Sequence, residues 1–178
     1  MANTNSTEVS NRWASPRVAN TAGTDQGKLR IKQGSVEVTA ANFDADGDTI
    51  RLCELPSNAA VKSIMIGCDD VDGGSNTAFN VGLYNIGTAS ATLGSIVDED
   101  CYASAVTYGQ TAQALTEVQH EAAPTNLDRV GQKVFLDGDS TLTADPNVMY
   151  ELVLTQTHAN VSGMVDGTYA YQVVYAID

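Results

Sequence analysis

Carboxylates are the only side chains in this chain whose types and spacing could do chemistry. Asp44, Asp46 and Asp48 stand at alternate positions, the way a calcium loop presents its first oxygen ligands. The run fails as an EF-hand, because position six is Thr49 where that loop needs glycine and position twelve is Leu55 where it needs glutamate. The segment Asp69-Asp70-Val71-Asp72-Gly73-Gly74-Ser75-Asn76 is richer in oxygen donors. Calcium takes about six to eight oxygens, so neighbouring loops would have to complete the shell. Asp69, Asp70 and Asp72 are therefore the candidate metal ligands, and calcium is the one cofactor the sequence suggests. The competing reading is an acidic, glycine-rich turn facing water. Asp98-Glu99-Asp100 is expected to favour a helix N-terminus through the macrodipole. Glycoside hydrolysis by paired carboxylates would need aromatic platforms, and the aromatic residues fall mostly on expected strands.

Covalent chemistry has no visible machinery. The sequence contains no G-x-S-x-G elbow, no G-x-x-x-x-G-K-[ST] loop and no G-x-G-x-x-G turn. His120 and His158 are isolated from H-E-x-x-H and H-x-H patterns, and a general base needs a partner that orients it. Cys53, Cys68 and Cys101 cannot all pair within one chain, and their spacing matches neither a zinc nor a redox motif. They read as small buried thiols. No catalytic residue is assigned, and the chain reads as a non-enzyme.

The charge excludes other classes. Over 178 residues, 9 Lys and Arg face 22 Asp and Glu, for a net charge of −13. A body so acidic repels phosphates, so nucleic acid is not an expected partner. No apolar run approaches the ~18 residues of a membrane span, so no membrane partner is expected either. The opening MANTNSTEVSNRW lacks the apolar centre of a secretory signal, and the reading is of a chain made in a cytoplasm. The charge is also uneven. Residues 1–32 carry five basic residues against two acids, whereas residues 33–178 carry four against twenty. Residues 1–27 are expected to form an extended basic arm, with Arg12, Trp13 and Arg17 as its partner-binding anchors, since Trp and Arg dominate binding hot spots. Residues 28–178 are expected to form a single β-sandwich domain.

The elements that must hold these residues read as strands. Asp-Gly pairs at 46–47, 72–73, 137–138 and 166–167 are turn signals, because both residue types tolerate the left-handed backbone of tight turns. Around them, Val36–Ala40, Thr49–Leu55, Val61–Gly67, Phe79–Tyr84, Lys133–Leu136, Ser140–Thr143 and Val148–Thr157 have strand character. Thr168–Ile177 alternates best: Tyr169, Tyr171, Val173, Tyr175 and Ile177 share one face. Residues 96–122 break the pattern, with Ala112, Leu115 and Val118 at helical spacing, and predict one or two short helices near 98–106 and 111–121. The fold class is all-β, a β-sandwich or jelly roll with that helical excursion and the N-terminal arm.

Particular stretches resemble a known group. Ile50-Arg51-Leu52-Cys53-Glu54-Leu55-Pro56 followed by Ala60-Val61-Lys62-Ser63-Ile64, then Asp69–Gly74 leading into Phe79-Asn80-Val81-Gly82-Leu83-Tyr84, resemble tailed-phage virion proteins of the head-decoration or cement type. Asp145-Pro146-Asn147, Tyr150-Glu151-Leu152 and the closing Tyr171–Tyr175 strand are similar too, so the resemblance covers roughly residues 49–178. It implies a β-sandwich or jelly-roll protein that forms homotrimers, binds the major capsid protein on the outside of an icosahedral head and reinforces the joints between its subunits. The alternative is a calcium-dependent carbohydrate- or host-binding module of a phage tail or fibre, with Asp69, Asp70 and Asp72 holding the ion.

Overall fold

The computed structural model describes residues 28–72, 76–88, 92–119, 132–158 and 163–177. Among the described residues, eight strands and one short helix follow in the order β1 (Lys28–Val38), β2 (Thr49–Pro56), β3 (Ala60–Cys68), β4 (Phe79–Asn85), β5 (Ile96–Val106), β6 (Gln113–Glu117), α1 (Val134–Gly138), β7 (Met149–Gln156) and β8 (Gly167–Ile177). They build two antiparallel four-stranded sheets, ordered β1-β8-β3-β6 and β2-β7-β4-β5. The pairing is nested. β1 lies on β8, β2 on β7, β3 on β6 and β4 on β5, as if one long hairpin had been folded over. The β3–β8 and β4–β7 ladders then close each sheet. This is the eight-stranded jelly roll, and it confirms the all-β reading.

The two inner faces meet in a core whose members follow from strand alternation. β8 contributes Tyr169, Val173 and Tyr175, which shared one face in the sequence pattern, and β3 contributes Ile64 and Ile66. Val81, Leu83, Leu152 and Leu154 answer from the other sheet, paired across β4 and β7. Phe43 and Phe79 set their rings edge-on to Tyr169, with centroids at 5.7 and 5.9 Å, a geometry that aligns ring quadrupoles favourably.

The helices expected near 98–106 and 111–121 are strands instead. β5 spans Ile96–Val106 and β6 spans Gln113–Glu117. Helical spacing in such short segments is a weak prior, and tertiary pairing overrode it. β4 is buried along nearly its whole length and needs a partner on its free side, which β5 supplies. β5 carries the Asp98–Asp100 run because it is an edge strand, where charge discourages further pairing. Its ladder with β4 shifts register three times. Gly82 permits this irregular crossing, since a Cβ there would sit 2.2 Å from the Asp98 carbonyl oxygen. The Asp137-Gly138 pair also differs from expectation. It closes helix α1, whose Val134 and Phe135 amides donate to the carbonyls of Ala59 and Ser57, and no strand forms at 140–143.

Candidate functional site

The antiparallel run of the strands puts the β1–β2, β3–β4, β5–β6 and β7–β8 connections at one end of the sandwich. Hydrogen bonds tie them together there. The amides of Val71 and Asp72 both donate to the Gly109 carbonyl at 3.0 Å, the Val165 amide donates to Val71 at 2.9 Å, and the Ala40 amide donates to Asp166 Oδ1 at 2.9 Å. Both acidic runs singled out in the sequence, Asp44–Asp48 and Asp69–Asp72, are therefore on this end.

The three candidate ligands are used differently there. Asp72 is buried and turned inward. Its Oδ2 accepts from the backbone amides of Asn76 and Thr77 and from Thr77 Oγ1 at 2.8 Å. Asp69 is exposed and accepts the Thr168 amide at 3.0 Å, while Asp70 is exposed beside it. Two of the three thus bind backbone amides of their own loop cluster. Among the described residues no three His, Cys, Asp or Glu side chains converge as a metal-holding group.

Cys68 lies beside Asp69 at this end and Cys53 and Cys101 lie elsewhere, and none of the three is activated. Burial raises Cys53 to about 11, against an opposing pull from Lys32, and raises Cys68 to about 11. Burial pushes Cys101 well above the ordinary thiol range, reinforced by Asp98 and Asp137. A nucleophilic cysteine needs the opposite environment, because the thiolate is the reactive form. His158 is exposed at the loop end, and His120 lies outside the described residues. Arg12, Trp13 and Arg17, the anchors expected in the arm, also lie outside the described residues.

The surface feature that strand patterning alone did not find is the outer face of the β1-β8-β3-β6 sheet. β1 is an edge strand whose first five residues have inverted sidedness, while Val36 and Val38 face the core. Register places Lys28, Arg30 and Lys32 opposite Ile177, Tyr175 and Val173, on the inward side, and Lys32 Nζ donates to the Glu54 carbonyl of β2 at 2.6 Å. Leu29 and Ile31 consequently project outward, 69 % and 61 % exposed. They continue into an outer surface made of Gln33 and Ser35 on β1, Val174, Gln172 and Ala170 on β8, Ser63, Met65 and Gly67 on β3, and Leu115 on β6. Leu115 is 45 % exposed. Two open troughs of about 430 and 230 Å³ run over this face, sharing Leu115 and Ala170 in their walls. Its charges are few: Asp69 lines the smaller trough, and Glu117 stands across from Met65. Glu37 accepts from Thr168 Oγ1 at 2.7 Å, Lys62 sits at the β3 bulge, and the Glu117 carboxylate is held by Ser63 Oγ and by the Ile64 amide at 2.9 Å. Residues 28–35 lie outside the segments expected to be strands, and the K-L-R-I-K alternation does not by itself say which side faces the core.

The fold and this surface define an eight-stranded jelly roll with a sparsely charged sheet face and an acidic loop end. No protein-family model matches the chain, and no curated protein matches it. Two solved structures of bacteriophage capsids contain chains with this fold. A chain of the capsid asymmetric unit of cyanophage Pam1 superposes over 100 % of both chains, with a TM-score of 0.52 and 19 % identity. A chain of the capsid of Ralstonia phage GP4 covers 84 % of this chain and 85 % of its own length, with a TM-score of 0.54 and 19 % identity.

Proposed function

We propose that this chain is a non-enzymatic structural protein of a bacteriophage virion, one that binds the outside of an icosahedral head and stabilises the joints between capsid subunits. The observation that carries this reading is the end-to-end correspondence with a chain of the cyanophage Pam1 capsid asymmetric unit, which leaves no part of either chain over. The un-activated thiols and the inward turn of Asp72 support a binding role over a catalytic one.

The mechanism is physical. The body associates as a homotrimer, and the basic arm, through Arg12, Trp13 and Arg17, docks on the major capsid protein or on a neighbouring copy. Each contact is weak alone, but three arms held on one trimer engage at high effective concentration, so their affinities multiply. Bridging contacts of this kind hold a shell against outward pressure without any bond being made or broken. The protein is synthesised in the host cytoplasm and ends on the particle surface.

Quantitative mass spectrometry of purified particles tests the reading. Abundance comparable to the major shell protein is the expected result. A handful of copies per particle would move the protein to the tail and favour the host-binding alternative, and absence from particles would overturn the virion role.

A further inference from the structure

We propose that copies of this chain meet through the outer face of the β1-β8-β3-β6 sheet, the same face on both copies. The proposal rests on the self-association in the reading above and adds to it a two-fold contact, which joins copies of neighbouring trimers in pairs.

The first argument is the inverted edge strand. A half-buried strand ordinarily turns its aliphatic residues to the core and its charges to water. Further along β1, Val36 and Val38 do so, but its first five residues do the reverse, and Leu29 and Ile31 gain nothing from the exposure unless something covers them. The inversion is held in place by the eleven-residue register with β8 and by the Lys32–Glu54 contact, so it is a property of the folded chain.

The second argument is electrostatic, and it selects the occupant. Each copy carries a net charge of −13. Two such bodies repel wherever carboxylates face one another, and like-charge juxtaposition within an interface is strongly unfavourable. The acidic loop end cannot be a contact between identical copies on these grounds. On this face the β1 and β8 rows around Ile31, Val174 and Ala170 bear no charge, and the carboxylate across from Met65, Glu117, is held by Ser63 Oγ and the Ile64 amide. It is a surface on which a second copy can approach against far fewer acids than at the loop end.

Size fits the centre of such a contact. Four strands about 4.8 Å apart and some eight residues of about 3.4 Å rise give roughly 500 Å² in projection. A stable interface buries about 800 Å² per partner. The face therefore supplies the middle, with β1, the outer strand of the sheet among the described residues, as part of the rim beside Leu29. The small floor of the troughs, Gly67 and Ala170, lets a projecting side chain such as Leu115 from the opposite copy seat in them.

The test is light scattering after size exclusion, over a range of concentrations, on the full-length chain. The wild type is expected to be oligomeric. Ile31→Glu and, separately, Leu115→Glu each place a buried carboxylate at the contact on every copy, and each is expected to weaken association at least tenfold. Val165→Glu, at the acidic loop end and 49 % exposed, is the control and leaves the oligomer intact. All three substituted side chains are solvent-exposed in the single chain, and melting curves within a few degrees of wild type confirm folding. Unchanged association of both face variants overturns the proposal. A monomeric wild type whose binding to purified particles is lost in Ile31→Glu also overturns it and gives the face to the capsid. Failure of the virion reading shows separately, as absence of the protein from particles while the oligomer and its Ile31 dependence persist.

Discussion

Replacing Asp72 by alanine isolates what the acidic loop is for. Three donors converge on its Oδ2: the amides of Asn76 and Thr77 and the Thr77 hydroxyl. Asp72 and Thr77 are 1 % and 0 % exposed, so water cannot replace the lost acceptor for Thr77, whereas the half-buried Asn76 amide can recover part of its loss. A buried donor left unsatisfied costs about 1–3 kcal/mol, and the three losses together come to about 3–4 kcal/mol. For a chain of this size each kcal/mol moves the melting temperature by about 2–4 °C, which gives a fall of about 6–16 °C. Asp70→Ala, on an exposed side chain two residues away, should stay within about 0.5 kcal/mol. Asp72→Asn keeps one acceptor oxygen and should lose about half as much as the alanine variant. Thermal denaturation followed by circular dichroism, with and without EDTA, reads all three. The expected pattern is a large loss in Asp72→Ala and no response to EDTA in any protein. Equal melting of Asp72→Ala and Asp70→Ala would refute the hydrogen-bond account. A wild type destabilised by EDTA, with Asp72→Ala indifferent to it, would instead make Asp72 a ligand of a structural ion, since an ion bound only to the native state stabilises by mass action.

Three further outcomes are expected. Deleting residues 1–27 should leave a folded body that no longer binds particles, and normal occupancy in a cosedimentation assay would remove the arm from the mechanism. Gly82→Ala should cost about 3 kcal/mol in urea unfolding, the upper range for overpacking, because β5 backbone stands in the way; Gly47→Ala, with open space but φ at +85°, should cost only about 1–2 kcal/mol of backbone strain. Cys53 and Cys68, raised to about 11, should react with iodoacetamide at pH 8 roughly 200-fold more slowly than the same thiols in urea, because only the thiolate reacts. The folded-state values lie above the unfolded ones, so the stability they contribute is complete below pH ~8.5 and is lost as pH rises towards 11, which chemical denaturation at pH 7, 9 and 10.5 will follow.

Much of the architecture was local enough to be legible in the residues. The alternation of Thr168–Ile177 named the core face of β8, because side chains on a strand alternate strictly between two sides and Tyr169, Val173 and Tyr175 are too apolar to be anywhere else. The Asp46-Gly47 turn was legible for a similar reason: Gly47 takes a positive φ of +85°, which glycine adopts without penalty. The absence of reaction motifs and the acidic charge are likewise properties of the chain as written.

What the tertiary structure decided is where local preference was balanced or wrong. The spacing of Ala112, Leu115 and Val118 favoured a helix, but an open edge of β3 was worth more to residues 113–117 than their own propensity, and Leu115 was left facing outward. The 98–100 acids looked like a helix start and became part of an edge strand beside β4. Asp72 looked like its neighbours Asp69 and Asp70, and only the packing of four loops at one end turned it inward onto the amides of Asn76 and Thr77. Above all, Lys28–Lys32 alternates two kinds of residue without saying which kind faces in. Period two specifies that there are two sides; the partner strand chooses between them, and pairing with β8 turned the basic side chains towards β2 and the aliphatic ones to the outside.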